Sequence, residues 1–205
     1  MSFIKDRINN VIYDEYLTKY QKLSDILKII IDYCGIDNNK YMIIASYGIR
    51  FYRQINDLDM NMESNEWIKL QKLVDLGIGI IETYNGQLRY FLNMTKEYQQ
   101  IDPSEKDFSI EIFKKEIDEG YPNSTFSIFY LLKHNGLERD ENKHLYFNKK
   151  TLLRWKKIAN RSKDQADIKL LENLINKGKK YKKSKRCPNG KRRNKKTRKC
   201  VNKKM

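Results

Sequence analysis

Histidine, proline and cysteine are scarce in this chain. Its 205 residues include two His, three Pro and three Cys. Three cysteines are too few for a disulfide scaffold, and Cys34, on the apolar side of the first predicted helix, is expected in the core. No Ser-His-Asp or Cys-His constellation is persuasive, because His134 and His144 lie in loop-like or helix-end sequence and are predicted to face solvent. The composition therefore disfavours nucleophilic catalysis of that type.

Long apolar runs are also missing. The longest aliphatic run, "LKIIIDYC", is interrupted by Lys28 and Asp32 and is too short to span a bilayer. The first ten residues, "MSFIKDRINN", lack the apolar core of a signal peptide. We therefore expect an intracellular protein with no membrane partner.

Acidic residues are absent from the end of the chain. Residues 176–205 contain 16 Lys and Arg and no acid, which leaves 42 − 16 = 26 basic residues against 26 acidic ones before them. The net charge of +16 therefore comes from this segment. We predict a folded domain over residues 1–176 and a flexible, disordered basic tail over residues 177–205.

The tail is suited to phosphate-rich partners, so nucleic acid is the expected ligand. The alternative is a solubilising or nuclear-targeting tail. The residues predicted to contact nucleic acid are Lys179, Lys180, Lys182, Lys183, Arg186, Arg192, Arg193, Lys195 and Lys196.

Hydrophobic spacing gives the order of secondary structure in the body. It predicts a helix over 14–34 that ends at Gly35, a strand over 41–46, a short helix over 47–53, a strand over 57–62, a helix over 65–77, a hairpin across Asn85-Gly86, a strand over 107–114 and then mostly helices. One late helix is expected to begin at Asn148 or Thr151, and another at Ser162. This order indicates an α+β fold with a mixed sheet of about five strands flanked by helices.

Two aspartates interrupt the apolar stretch "INDLDMNM". On a strand, Asp57 and Asp59 project from one face, whereas Leu58 and Met60 enter the core. Two adjacent carboxylates repel each other unless a cation lies between them. Mg²⁺, or Mn²⁺ in its place, is the natural cation, because it accepts carboxylate oxygens together with the phosphate oxygens of a nucleotide. The alternative is an Asp-rich turn without a ligand.

The segment before these aspartates adds a phosphate site. A strand that turns into a helix at Ser46 and Tyr47 directs free backbone N–H groups above the sheet, and a helix start of this kind attracts phosphate. A phosphate cradle and metal-binding carboxylates are the parts that nucleotidyl transfer requires.

The stretch "ASYGIRFYRQINDLDMNM" resembles the signature of the DNA polymerase β-like nucleotidyltransferase superfamily, in which a strand ends in Gly-Ser and Asp-x-Asp lies on the next strand. Ala45 stands where the family usually has Gly, and a methyl group there narrows the space for a triphosphate. About a hundred residues later, "LLRWKKIANRSKDQADIKLLENL" resembles a Lys-x4-Arg-x-Lys-Asp-x-x-Asp-Ile segment of minimal and AbiEii-like nucleotidyltransferases. Together the two matches cover roughly residues 41 to 175.

The resemblance implies a third metal-binding carboxylate on a later strand. Glu111 in "DFSIEIFKKE" is the best candidate and Asp107 the second, and a surface glutamate is the alternative. In the second motif, the resemblance implies that Lys156 and Lys163 bind nucleotide phosphates. Arg161 is expected to pair with Asp164 or Asp167, or only to stabilise the turn between helices.

The tail contains a second resemblance. "KRCPNGKRRNKKTRKC", bounded by Cys187 and Cys200, is similar to a short module at the ends of proteins of giant DNA viruses related to mimivirus. This resemblance implies a location in the host cytoplasm or viral factory, or packaging in the virion. A self-contained zinc site is not expected, because two further ligands are lacking nearby.

These observations predict a metal-dependent nucleotidyltransferase that transfers a nucleoside monophosphate from a nucleoside triphosphate to a hydroxyl acceptor, either RNA, a protein or a small molecule. Asp57, Asp59 and Glu111 are its expected catalytic residues. The alternative is a catalytically inactive protein that kept the fold and binds nucleic acid or the virion.

Overall fold

The computed structural model describes residues 3–52, 54–115, 126–183, 191–193 and 200–202. Only the backbone is described for Ala45, Lys115, residues 178–183 and the two last ranges. The chain forms two compact units, Met1–Asn160 and Arg161–Met205. The first unit contains the large sheet and every residue of the predicted metal site.

Helices and strands are interspersed along the first unit. The helices are α1 Phe3–Ile12, α2 Lys19–Cys34, α3 Ser64–Trp67, α4 Gln71–Val74, α5 Thr95–Tyr98, α6 Ile128–Lys133 and α7 Lys149–Ala159, with 3-10 helices at Ala45–Ile49 and Ile68–Leu70. The strands are β1 Tyr41–Ile43, β2 Asp57–Glu63, β3 Ile80–Tyr84, β4 Gln87–Asn93, β5 Ser109–Lys115, β6 Leu137–Arg139 and β7 Leu145–Phe147.

The seven strands form one mixed sheet in the order β3-β4-β5-β2-β1-β7-β6. β2 is parallel to β5 and β1 is parallel to β7, whereas the other neighbours are antiparallel. The predicted α+β fold with a mixed sheet flanked by helices is confirmed. The sheet has two strands more than expected, because the β6–β7 hairpin lies where mostly helices were predicted. Its strands have three residues each, too few to show an alternating pattern.

The main core lies between α1, α2 and one face of the sheet. Ile4, Ile8 and Ile12 recur every four residues and are buried, so α1 contributes one apolar stripe. The predicted helix over 14–34 is shorter in the structure, because α2 begins at Lys19 after Thr18, whose N–H donates to Gln21 Oε1 at 2.9 Å.

Several local predictions are confirmed. Gly35 ends α2 in the left-handed region at φ 65°, and Cys34 is buried in the core. Asn85 and Gly86 both have positive φ and connect β3 to β4, as a type I′ hairpin turn requires. Asn148 caps α7 by accepting a hydrogen bond from the Thr151 N–H at 2.9 Å.

The second unit begins with a 3-10 turn, Ser162–Asp164, that leads into the long helix α8, Gln165–Lys183. The domain boundary predicted at residue 176 falls inside α8. Two short antiparallel strands follow, β8 Lys191–Arg193 and β9 Cys200–Asn202. No helix in the described ranges is long and apolar enough to cross a membrane.

Candidate functional site

The acidic residues of β2 and β5 lie on the sheet face opposite to α1 and α2. The parallel register pairs Asp57 with Ser109 and Asp59 with Glu111, on strands about 4.8 Å apart. Leu58 and its alternating neighbours are buried in the core, whereas Asp57 is exposed and Asp59 and Glu111 are half-buried. We call Asp57, Asp59 and Glu111 the carboxylate row. Two of these side chains are thus on one strand face, as predicted, and the third is on the neighbouring strand.

Arg89 on β4 holds the third carboxylate. Its Nη1 donates to Glu111 Oε2 at 2.6 Å, and its Nε and Nη2 donate to Glu82 Oε1 at 2.8 and 2.6 Å. Burial alone would lower the pKa of Arg89, but its hydrogen bonds to Glu82 and Glu111 and the charges of these carboxylates outweigh burial and raise the pKa. Glu111 is therefore the partner of a fixed cation.

Two aromatic rings surround the Arg89 guanidinium. Its central carbon lies 4.0 Å from the ring centroid of Tyr84 and 4.6 Å from that of Phe91, within the range of cation–π attraction. The Arg89 side chain is only 11% exposed. Sequence reasoning missed Arg89, although Glu82 and Arg89 are placed symmetrically about Asn85-Gly86 and face each other across the hairpin.

The carboxylate row fits a divalent cation only in part. Asp57 and Asp59 offer the oxygen ligands that Mg²⁺ prefers. Glu111 is directed into the ion pair with Arg89. Within the part of the chain that the structure describes, no group of three or more His, Cys, Asp or Glu side chains is arranged to hold a metal ion. A site made from all three predicted carboxylates is therefore not assembled in this conformation.

The predicted phosphate cradle is a single short 3-10 helix, Ala45–Ile49, that directly follows the sheet residues of β1. Ser46 is half-buried at its start. The Tyr47 side chain is buried, and its hydroxyl donates to Asp140 Oδ2 at 2.6 Å. Only the backbone of Tyr47 can therefore serve a ligand above the sheet.

Gly48 allows this helix to pack closely against β7 and α7. A Cβ atom at Gly48 would lie 2.7 Å from the Phe147 carbonyl oxygen and 3.1 Å from Leu152 Cδ2. The one glycine of the signature stretch is thus required by packing at position 48.

The second predicted motif is divided between the two units. Lys156 lies on α7 and is only 1% exposed, whereas Lys163 is exposed in the 3-10 turn of the second unit. Arg161 Nε donates to Asp164 Oδ2 at 2.6 Å. The expected Arg161–Asp164 pair is confirmed and stabilises the turn that precedes α8.

A buried ion pair fixes the loops that enter β2 and β5. Lys19 Nζ lies 2.6 Å from Glu105 Oε2 and donates to the Asp107 carbonyl oxygen at 2.7 Å and to Asn56 Oδ1 at 3.3 Å. Burial would raise the pKa of Glu105, but the Lys19 ammonium outweighs it and the pKa is lowered. Since Asn56 immediately precedes Asp57, this pair positions the start of the carboxylate row. Asp107, the second choice for the third carboxylate, lies before β5 and accepts from Ser109 Oγ at 2.8 Å.

The prediction that His144 faces solvent is wrong. His144 is 1% exposed, because the β6–β7 turn carries it into the interior. Its Nε2 lies 3.0 Å from the Ser24 carbonyl oxygen and its Nδ1 lies 2.6 Å from the Tyr41 hydroxyl. Burial lowers the pKa of His144, so the ring is neutral near pH 7. Since a carbonyl only accepts, Nε2 donates and Nδ1 accepts from Tyr41.

Asp140 is at the centre of the same region. It accepts from Tyr47 OH at 2.6 Å, from Ser24 Oγ at 3.0 Å and from the His144 backbone N–H at 2.8 Å. Burial, followed by the charge of Asp140, raises the pKa of Tyr47. We call Ser24, Tyr41, Tyr47, Asp140 and His144 the buried polar network.

The tail predictions fall mainly outside the described side chains. Lys179, Lys180, Lys182 and Lys183 lie on the described backbone of α8, and Arg192 and Arg193 on that of β8. Arg186, Lys195, Lys196 and Cys187 lie outside the described residues. Comparisons with protein-family models, curated proteins and solved structures found no match to this chain.

Proposed function

We propose that this protein is a metal-dependent nucleotidyltransferase-like protein that transfers a nucleoside monophosphate from a nucleoside triphosphate to a hydroxyl acceptor. The observation that carries the proposal is the register of two parallel strands, which puts Glu111 beside Asp59 and Ser109 beside Asp57. The three carboxylates lie on the sheet face opposite to the main core, and Asp57 is exposed there. The resemblance of the signature stretch supports the same function.

Each part of the site has a role in this proposal. Asp57 and Asp59 hold Mg²⁺ or Mn²⁺, which when bound neutralises phosphate charge. Glu111 is proposed to take the proton of the acceptor hydroxyl. The backbone N–H groups at Ser46 and Tyr47 are proposed to hold phosphates. Phosphate contacts of Lys156 and of Lys163 each stay a separate prediction. The acceptor class is RNA, protein or a small molecule.

Nucleotide-dependent labelling tests the proposal. The full chain is incubated with each labelled nucleoside triphosphate, Mg²⁺ or Mn²⁺, and total RNA and protein. We expect metal-dependent transfer of label that is lost in the double variant Asp57→Asn/Asp59→Asn. The matched control is Asp6→Asn/Asp75→Asn, which removes two acids distant from β2 in the sequence. Equal labelling by the two double variants would reject the proposal.

A second candidate function is nucleic-acid binding, in the virion or the viral factory, without catalysis. The Arg89–Glu111 ion pair favours it, because Glu111 is already engaged by a cation of the protein. Tight RNA or DNA binding by a protein that transfers no label from any triphosphate would select this function.

Nucleic-acid binding is proposed to reside in the basic tail in either case. Ending the chain after Lys183 keeps α8 complete and removes 11 of the 16 basic residues, since five lie between residues 176 and 183. If six tail cations contact phosphates, affinity of the full chain should fall about a thousandfold between 50 and 200 mM salt. The shortened chain should show a much shallower dependence. Unchanged affinity and slope would place the nucleic-acid site before residue 184.

A further inference from the structure

We infer that a cavity beside α1 binds a small zwitterion with an apolar body, of the chemical class of a free amino acid with an apolar side chain. The cavity lies between α1, the turn that enters β3 and the end of β4, and its volume is about 300 Å³. This volume is at the lower end of the range of small-molecule sites. The inference is independent of the proposed nucleotidyl transfer, because no residue of the carboxylate row lines this cavity.

The floor of the cavity is apolar. It is formed by five side chains that are buried in the main core, Ile8, Ile12, Ile78, Leu92 and Met94. A ligand that covers this floor gains free energy only through apolar atoms of its own. The body of the ligand is therefore apolar.

The rim of the cavity carries two opposite charges. Among the described residues that line it, Lys5 on α1 and Glu97 on α5 are charged, and both are half-buried. Neither side chain forms an ion pair or a hydrogen bond within the described part of the chain. Asn9 lies on the same face of α1 as Lys5, one helical turn later, and its amide can donate to a carboxylate and accept from an ammonium. The rim thus offers partners for both charges of a zwitterion.

The turn that forms one wall of the cavity is fixed by close packing. A Cβ atom at Gly79, where φ is 69°, would lie 2.6 Å from Tyr90 Cζ, and the Tyr90 hydroxyl donates to the Ile78 carbonyl oxygen at 3.0 Å. Lys5 Nζ lies over the same turn, 3.6 Å from the position that a Cβ atom at Gly77 would take. This wall is preformed, so binding requires little ordering of the protein there.

The balance of charge selects a zwitterion over other small ligands. A nucleotide would bring several negative charges to one lysine and one glutamate, and the glutamate would repel them. A simple carboxylate would leave Glu97 without a partner, and a simple amine would leave Lys5 without one. A zwitterion pairs both charges, and hydrogen bonds between ionised groups are stronger than neutral ones.

Calorimetric titration of the full chain with L-phenylalanine tests the inference. We expect saturable binding of L-phenylalanine. The analogue 3-phenylpropanoate lacks the ammonium and 2-phenylethylamine lacks the carboxylate, so each should bind at least about tenfold more weakly.

Two charge variants test the role of each rim residue. Lys5→Gln should weaken binding of L-phenylalanine about tenfold and remove its advantage over 2-phenylethylamine. Glu97→Gln should remove the advantage over 3-phenylpropanoate in the same way. The matched control is Lys96→Gln, which replaces an exposed lysine that does not line the cavity and should leave both preferences unchanged.

Filling the cavity separates binding at this site from binding elsewhere. Asn9→Trp should close the rim and abolish saturable binding, whereas Asn10→Trp, at the next exposed position of α1 and outside the cavity, should not. Circular dichroism verifies that each variant is folded. Equal binding of L-phenylalanine and 3-phenylpropanoate would overturn the inference, as would no saturable binding of L-phenylalanine or L-leucine below about 10 mM. Neither result bears on metal-dependent transfer of label, which is measured separately.

Discussion

The buried polar network gathers side chains from α2, β1, the 3-10 helix and the β6–β7 turn, whereas the carboxylate row lies on β2 and β5. The two clusters also differ in what completes them. In the buried polar network, Asp140 receives three protein donors and His144 uses both ring nitrogens. In the carboxylate row, Asp57 is exposed to solvent, and Glu111 shares its cation with Glu82. One cluster is completed by the protein, whereas the other has an acid, Asp57, that faces solvent.

This difference separates a structural cluster from a candidate site. Buried polar groups must be hydrogen-bonded, and a satisfied network makes one packing arrangement unique. Acids at an accessible sheet face add little to stability. Substitutions in the buried polar network should therefore lower stability, and substitutions in the carboxylate row should change ligand binding instead.

The largest loss of stability is expected for Asp140→Ala. It leaves the donors of Tyr47, Ser24 and His144 without their acceptor, and we expect a loss of about 4 kcal/mol in the free energy of unfolding. Urea denaturation measures it. Asp57→Ala is the matched substitution in the carboxylate row and should change stability by less than about 0.5 kcal/mol. Similar losses for the two variants would remove the distinction between the clusters.

The next effect concerns the ion pair that positions the carboxylate row. Lys19→Met leaves Glu105 buried without its cation, and we expect a loss of about 3 kcal/mol. The control is Lys28→Met, which breaks the exposed pair of Lys28 with Asp32 at 2.7 Å and should cost less than about 0.5 kcal/mol. Thermal and urea unfolding of both variants would show whether the burial of an ion pair determines how much stability is lost when its lysine is replaced. A negligible loss in Lys19→Met would contradict this account.

A smaller effect is expected for Tyr47→Phe. Asp140 loses one of its three donors but keeps the others, so we expect a loss of about 1.5 kcal/mol. Tyr13→Phe removes a hydroxyl that donates to Gln100 at 2.9 Å in exposed surroundings, and its unfolding midpoint should barely move. If both variants behave alike, Tyr47 is not coupled to the buried polar network.

The smallest effect concerns pH. The pKa of His144 is lowered in the folded protein by burial, below the value of about 6.5 expected in the unfolded chain. Neutral His144 therefore contributes its full share of stability above pH 6.5. This contribution is lost as the pH falls through the pKa that His144 has in the folded protein. His144→Gln should remove this part of the pH dependence, and His134→Gln should not. The free energy of unfolding should be measured between pH 7.5 and 5 in the unchanged protein and in both variants. The same dependence on pH in all three proteins would refute this prediction.

The sequence predicted those features that depend on local pattern. The strand alternation placed Asp57 and Asp59 on one face, and Asn85-Gly86 located the hairpin. Ile4, Ile8 and Ile12 have the four-residue spacing of a helix, but no helix was predicted there. The helix α1 is therefore a feature that the prediction missed.

Features that depend on pairing between distant segments were not predictable in the same way. Only the β4–β5 register brings Arg89 to Glu111, and only the β6–β7 turn takes His144 into the interior. A single sequence contains no signal for either contact beyond the residue types themselves.

The parallel pairing of β2 with β5 has a consequence for the order of folding. Asp59 and Glu111 are 111 − 59 = 52 positions apart in the chain, whereas β3 and β4 are joined by a two-residue turn. Local pairings close quickly and distant ones slowly. We expect the hairpin to form first, to recruit β5 through β4, and only then to meet β2. Pulse-labelled hydrogen exchange during refolding would reject this order if β2 amides were protected before those of β4. A nascent chain that ends between Asp59 and Glu111 therefore contains both aspartates and no assembled carboxylate row.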